Sequence, residues 1–404
     1  MPILRGKRIV LGVCGSIAAY KVAQLARNLT LAEAVVDVIM TEAAERFVGA
    51  ATFQALTGRP VLTDMWALPE DSVVGHVALG LHADLIVIAP ATAHTLARLA
   101  AGFADDLLTT TVLASTAPIL CAPAMNVQMY AAAATQANIA TLRQRGMIVL
   151  EPEVGKMAEP MEGKGRLPEP PIIEGEIRAL LGRQSGSLRG RRVVVTAGGT
   201  WEAIDPIRYL GNRSSGQMGY ALAEAARDAG AYVTLISTPV ALPAPAGLEL
   251  VYVESALSLR DAVIAACQQA DMLIMNAAVA DFRPATVAEQ KIKKSGRDSL
   301  TLHLISNPDI LAELHDRTDL VRIGFAAETE AIETHALGKL HRKNVDMIIA
   351  NDATITMGKP DVAMTIFTRT GETVALPRQS KPDAAEAIIA YSAAYLNTRA
   401  GAVQ

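Results

Sequence analysis

Aromatic side chains are scarce in this chain. Phe, Tyr and Trp make up 4% of 404 residues, against 51% for all hydrophobic types. The interior is therefore left to Ala, Val, Leu and Ile, the residues of parallel strands buried under helices. Cysteine is rarer still: Cys14, Cys121 and Cys267 stand far apart. They have neither metal-ligand spacing nor an even disulfide set, which excludes a disulfide framework and fits a reducing cytoplasm. An excess of positive charge is also missing. The net charge of −4 argues against general nucleic-acid binding. No uninterrupted apolar run is long enough to span a bilayer, so no membrane partner is expected. Met1–Lys7 leads directly into a strand, without the layout of a signal peptide. A GxGxxG fingerprint followed by an acidic residue is absent, which counts against a dinucleotide-dependent oxidoreductase.

What the sequence does have is rhythm. Its length sets two domains as the natural expectation. Ile9–Val13, Val35–Met40, Leu85–Ala89, Ile119–Ala122 and Met147–Leu150 read as strands, alternating with helices such as Ala18–Leu29, Leu107–Ala114 and Ala131–Arg145. This βαβ alternation implies a parallel sheet covered on both faces. Gly182–Arg191 is Gly/Ser-rich and basic and is expected to be a flexible linker. The rhythm then restarts with strands at Arg192–Ala197, Tyr232–Ser237, Leu250–Val253, Met272–Met275, Val321–Ala326 and Met347–Ala350. Ala363–Thr368 and Thr373–Leu376 flank Arg369–Glu372 and predict a closing hairpin. The halves share no evident repeat. The expected fold is α/β, with two different Rossmann-like, doubly wound domains at residues 1–190 and 191–404.

In open sheets of this kind ligands bind beyond the strand C-terminal ends. In the first half, four loops lie there: Cys14–Lys21, the segment at Thr41, Pro90–Thr95 and Ala122–Met129. Gly15, Ser16 and the start of the following helix offer N–H groups and a hydroxyl to a phosphate. In the second half, Ala270–Ser295 opens as a buried strand, breaks into a loop with Asn276 and Asp281, and ends on Lys291, Lys293 and Lys294. Lysines held this close repel one another unless an anion neutralises them. Arg208, Asn212, Arg213, Ser214 and Ser215 precede the helix at Gly219 and suit a phosphate or carboxylate.

GSIAAYK (Gly15–Lys21), His76–Leu79, Pro90–Ala93, Ala104–Leu108 and Pro123–Met129 together resemble the flavin-containing cysteine decarboxylases, in particular those acting on phosphopantothenoylcysteine. The resemblance implies FMN over Gly15, Ser16, Thr41, Thr92, Thr95 and Met125, with Asn126 on the substrate carboxylate and His76 as catalytic base. It implies trimers with the flavin near a subunit interface. In that chemistry FMN oxidises the CH₂–SH group next to the departing carboxylate and so supplies the electron sink. His82 and His94 read as surface residues, and the family usually has Asn where His94 stands. The sequence departs further in Gly155–Arg166, expected to be a lid. Glu159 stands where the family pattern has the proton-donating cysteine, while Gly163, Gly165 and Arg166 are retained.

The second half resembles phosphopantothenate–cysteine ligases through Asp205–Gly219, Ala277–Pro284, Lys291–Lys294, Ser306–Leu311, Gly324–Thr329 and Lys339–Asn344. This implies CTP contacts at Met275, Asn276, Ala277, Asp281, Lys291, Asn307, Pro308, Asp309, Ile310, Phe325, Lys339 and Lys343. Asn212 and Arg208 would face 4′-phosphopantothenate and its acyl-cytidylate. Mg²⁺ is expected with the nucleotide, on ligands the sequence does not specify. Both halves in this order resemble the bifunctional coenzyme A biosynthesis proteins. The substrates implied are 4′-phosphopantothenate, cysteine and CTP, and the assembly a homo-oligomer with trimeric decarboxylase and dimeric ligase contacts. A flavin-binding regulatory subunit and a flavin prenyltransferase share the first fold. The intact ligase motifs count against the former, and His76 with Pro123–Asn126 counts against the latter.

Overall fold

Strands made almost wholly of Val, Ile and Leu have no polar face to present to water, so both faces must be covered. The computed structural model describes residues 3–66, 75–156, 162–294, 299–328, 331–352 and 361–401. Two compact units emerge, Met1–Leu181 and Gly182–Gln404.

In the first unit β1 (Arg8–Val13), β2 (Val35–Met40), β3 (Leu85–Ala91), β4 (Ile119–Pro123) and β5 (Ile148–Val149) pair in parallel, in the order β2-β1-β3-β4-β5. Every residue of β3 is buried. The helices are α1 (Ala19–Leu31), α2 (Glu42–Glu45), α3 (Ala50–Thr57), α4 (Gly75–His82), α5 (Ala93–Ala101), α6 (Leu107–Leu113), α7 (Val127–Ala131) and α8 (Ala133–Gln144). They supply two cores. One gathers Leu25, Leu29 and Phe53; the other gathers Leu96, Leu108 and Leu142. Fully buried residues such as Leu25 and Ile86 each contribute roughly 1.5–3 kcal/mol. Helix α5 shows the local logic. Thr92 caps it by accepting the Thr95 N–H, Leu96, Leu99 and Ala100 fall on the buried face, and left-handed Gly102 ends it. An antiparallel hairpin, β6 (Glu153–Lys156) with β7 (Glu162–Arg166), and helix α9 (Pro170–Ser185) complete the unit.

The second unit is built on β8 (Arg192–Ala197), with β9 (Trp201–Ala203) and β10 (Tyr209–Gly211) forming a small hairpin on which Trp201 and Tyr209 stack. Next come α10 (Gln217–Asp228), β11 (Tyr232–Ser237), β12 (Glu249–Tyr252), α11 (Ala256–Cys267) and β13 (Met272–Met275). A second small hairpin, β14 (Phe282–Pro284) with β15 (Leu304–Ser306), precedes α12 (Ile310–Glu313). The chain ends with β16 (Val321–Glu328), α13 (Ile332–Arg342), β17 (Met347–Asp352), β18 (Asp361–Thr368), β19 (Thr373–Ser380) and α14 (Lys381–Gly401). The large sheet runs β12-β11-β8-β13-β16-β17-β18-β19. Only β18 runs against its neighbours, pairing antiparallel with β17 and with β19, and β18–β19 is the closing hairpin expected from the sequence. Strand order reverses between β8 and β13, so the crevice that binds ligands in such sheets opens there.

The expected linker needs correction. Residues 182–185 are the last turn of α9, and Gly186 and Leu188 are bonded to Gly182 and Ala229. Leu188 is fully buried in the core of the second unit. A buried leucine ties this Gly/Ser-rich stretch down, where composition alone suggested freedom.

Candidate functional site

At the C-terminal edge of the first sheet, the turn after β1 is held by the Ser16 N–H, which donates to the Cys14 carbonyl, and by Ser16 Oγ, which accepts from the Ala18 N–H. A Cβ on Gly15 would lie 2.4 Å from Ala43 Cβ, so glycine is required here by the start of α2. The hydroxyls of Thr92 and Thr95 are 3.1 Å apart. The Cys14 thiol, buried and bonded to both threonines, is pushed up to about 11 by burial, so it is no ready thiolate. Met125 is buried, and its N–H donates to the Gly165 carbonyl, fastening β7 to the loop after β4. Asn126 caps α7 by accepting the Gln128 N–H.

Among the described residues, Thr41 Oγ1 and His76 Nδ1 are the buried polar atoms of this unit that find no partner. Burying such atoms unpaired costs about 1–3 kcal/mol each, and a bound ligand removes that cost. Thr41 follows β2. His76 lies in the first turn of the helix leading back into β3, at the same edge of the sheet. Threonine hydroxyls, an uncapped α1 N-terminus and orphaned buried atoms fit a flavin phosphate and ring. Thr41→Val is accordingly expected to weaken FMN binding about fivefold, measured by flavin fluorescence on titrating the apoprotein. Unchanged affinity would leave the Thr41 hydroxyl without a role. Glu159 lies outside the described residues.

Two family-like pieces have structural work. Asp106 caps α6, accepting from Thr109 and pairing with Arg98. Lys21 binds Glu169 at 2.5 Å. The hairpin is held by Glu151, which pairs with Lys164 and Arg143 and accepts the Tyr130 hydroxyl at 3.0 Å. Lys164 first and Arg143 second hold the Glu151 carboxyl down to about 2. A folded-state value below the ordinary one gives stability that is present above about pH 4.3 and lost as pH falls toward 2. The half-exposed side chain keeps that contribution small. Hydrogen exchange in β7, corrected for intrinsic rate, should accelerate across that window. Constant protection would contradict the assignment.

On the second unit a cavity of about 820 Å³ opens at the reversal between β8 and β13. Its floor is laced by hydroxyls. Thr196 Oγ1 accepts from the N–H groups of Asn276 and Ala277, and Thr200 Oγ1 accepts from that of Ala280. Asn212 Nδ2 donates to the Ala278 carbonyl at 3.1 Å, and Asn307 Nδ2 to the Ala280 carbonyl at 2.8 Å. The cavity collects Asn212, Met275, Asn276, Ala277, Asp281, Asn307, Pro308, Asp309, Ile310, Phe325, Lys339 and Lys343. Lys343 Nζ lies 3.3 Å from Asp309. Sequence reasoning gave no role to Gln217, Asn351 and Lys381, which also line it; Gln217 lies within a family-like stretch, whereas Asn351 and Lys381 stand in none. Among the described residues no three His, Cys, Asp or Glu side chains are grouped to hold a metal. Asp281 makes no ion pair among them.

Arg208 and Lys291 do not line this cavity. Arg208 forms a two-pronged pair with Asp205 and donates to the Ile292 carbonyl at 2.8 Å. Asp205, 2% exposed, also accepts the N–H groups of Ile207, Arg208 and Ile292. Arg208 foremost, then these amides, hold its carboxyl far below the usual range. The lysine-bearing segment is thus clamped beside Lys291, which itself is exposed.

The family model described as Flavoprotein matches residues 3–182, and that described as DNA/pantothenate metabolism flavoprotein C-terminal domain matches residues 188–395. The coenzyme A biosynthesis bifunctional protein CoaBC of Vibrio cholerae is 46% identical over 395 residues, 96% of this chain and 98% of that protein. CoaBC of Mycobacterium tuberculosis is 50% identical over 360 residues, 85% of this chain and 86% of that protein. A crystal structure of the C-terminal domain of a CoaBC protein aligns with 39% identity and a TM-score of 0.47, over 53% of this chain and 100% of that one. On the match to the Vibrio cholerae protein, which covers nearly all of both chains at 46% identity, the protein belongs to the family of bifunctional coenzyme A biosynthesis proteins.

Proposed function

We propose that the second unit joins 4′-phosphopantothenate to cysteine using CTP, and that the first decarboxylates the product to 4′-phosphopantetheine. The observation that carries this reading is the cavity at the β8/β13 reversal, which draws the expected nucleotide residues from separate segments. A carboxylate must be activated before an amine displaces its oxygen. Attack on the α-phosphate of CTP gives an acyl-cytidylate and pyrophosphate, and the neutral amine of cysteine then forms the amide. Lys339 and Lys343 offset the phosphate charge, with Mg²⁺ carried on the nucleotide. The Thr196 and Thr200 hydroxyls fix the floor loop. Asn212, held on the Ala278 carbonyl, orients the acyl group. Lys291 serves from the segment clamped by Asp205 and Arg208.

In the first unit bound FMN would supply a hydride acceptor for the thiol-bearing carbon. Gly15, Ser16, Thr41, Thr92, Thr95 and Met125 would hold it, Asn126 would hold the substrate carboxylate, and His76 would move the proton. In this reading Glu159 donates the proton that completes the product. Glu159→Gln should then release CO₂ yet accumulate the enethiol, seen by mass spectrometry; a normal yield of 4′-phosphopantetheine would remove Glu159 from the role. No described helix is long and apolar enough to cross a membrane. Action in the cytoplasm, with trimeric decarboxylase and dimeric ligase contacts, belongs to the same proposal.

The test omits cysteine. With CTP, Mg²⁺ and 4′-phosphopantothenate alone, one pyrophosphate per site should appear as a burst, and turnover should begin on adding cysteine. Absence of both would overturn the ligase reading in favour of a regulatory flavoprotein.

A further inference from the structure

Lys381 is the first residue of α14, and Gln217 the first of α10. Both helices pack into one core, through Met218 and Leu222 on one and Ala385 and Ile388 on the other. Their N-termini therefore meet at the cavity, where Lys381 Nζ donates to Gln217 Oε1 at 2.8 Å. Lys381 makes no ion pair with a carboxylate among the described residues. The acid nearest in sequence, Asp383, is bonded to the Ser380 hydroxyl. Burial lowers the Lys381 pKa, with no opposing charge to restore it. A half-buried ammonium without a counter-ion is unfavourable until an anion arrives. Lys343 differs, being balanced by Asp309.

The neighbouring surface selects the kind of anion. Helix α10 belongs to the first strand–helix unit of its sheet and starts beside the strand-order reversal, where such folds seat polyphosphates. Its N-terminus is preceded by Gly216 in the left-handed conformation, and no side chain caps it, which leaves its N–H groups available. Resting on the ligase reading above, we infer that Lys381 binds the polyphosphate of the nucleotide and stabilises the departing pyrophosphate. As the substrate carboxylate bonds to the α-phosphorus, the bond from that phosphorus to the α–β bridging oxygen breaks. Its electron pair leaves with the pyrophosphate, and the ammonium meets the charge that develops there.

The experiment measures pyrophosphate release while CTP and 4′-phosphopantothenate are varied separately, in wild type, K381M and K381R. K381M should raise the KM for CTP roughly ten- to a hundredfold, the worth of a charge-assisted hydrogen bond. Inhibition by pyrophosphate and by inorganic triphosphate should weaken by the same factor. The KM for 4′-phosphopantothenate should stay within about twofold, and K381R should recover most of the loss. That unchanged constant also shows that K381M has folded. If K381M raises the KM for 4′-phosphopantothenate instead, Lys381 reads the acyl substrate; if neither constant moves, it binds neither. Both outcomes overturn the inference. Wild-type protein without CTP-dependent release would instead overturn the ligase reading itself.

Discussion

Replacing His76 by asparagine is expected to cut CO₂ release from 4′-phosphopantothenoylcysteine about 10²–10⁴-fold, the range lost with a general acid–base group. CTP-dependent pyrophosphate release should be unaffected, since ligation belongs to the other unit. The ground is a buried Nδ1 that finds no partner among the described residues. A structural histidine would bond that nitrogen to a carbonyl or carboxylate, because leaving it unpaired costs stability. Asparagine preserves a polar side chain of similar reach but has no imidazole to take up and return a proton. Retained FMN absorbance in the variant would separate lost chemistry from lost folding. Full CO₂ release from FMN-loaded His76→Asn would remove the residue from the mechanism.

Asp205→Ala should lower kcat/KM for ligation about a hundredfold, the cost of moving a catalytic group by about an ångström. Asp205 does not line the cavity. It acts through the segment carrying Lys291, accepting from the Ile292 N–H at 3.1 Å and from Arg208, which in turn donates to the Ile292 carbonyl. Without the carboxylate, Arg208 and three amides lose their acceptor together. Asp205→Asn should fail as well, because its NH₂ group would face donors on one side. The depressed carboxyl pKa has a clear sign. Its contribution is present above the ordinary aspartate value and is lost only as pH falls through the much lower folded value, so Asp205 does not set an acid limb near neutrality. Decarboxylation of supplied 4′-phosphopantothenoylcysteine should be normal in both variants. Normal ligation by Asp205→Ala would show that Lys291 needs no clamp.

The contrast between Asp205 and Lys339 marks what was legible in the sequence. Buried parallel strands announce themselves as short apolar runs, so β8, β11 and β13 match their expected limits. Loops at their C-terminal ends could then be gathered at one edge, and Asn276, Ala277 and Asp281 after β13 line the cavity, as do Lys339 and Lys343 from α13 and its C-cap. The short hairpins carried no such signal. All three residues of β15 are exposed, and β7 is Glu-Gly-Lys-Gly-Arg, without an apolar side chain to mark its inner face. Arg208 was readable as a cation, but not its engagement by a carboxylate three residues earlier and a carbonyl 84 residues later. Lys381 stands in no motif. Only the packing of α14 on α10 brings it to the cavity. Leu188 makes the same point for the supposed linker: one buried side chain outweighed a flexible composition.

The central claim, that one chain carries out ligation and then decarboxylation, is tested most directly by one incubation. FMN-loaded protein is given 4′-phosphopantothenate, cysteine, Mg²⁺ and CTP, and pyrophosphate and CO₂ are followed together. The account predicts both, with CO₂ lagging pyrophosphate and reaching the same final amount, and with no CO₂ when CTP is omitted. CO₂ formed without CTP, or pyrophosphate that is never followed by CO₂, would contradict it.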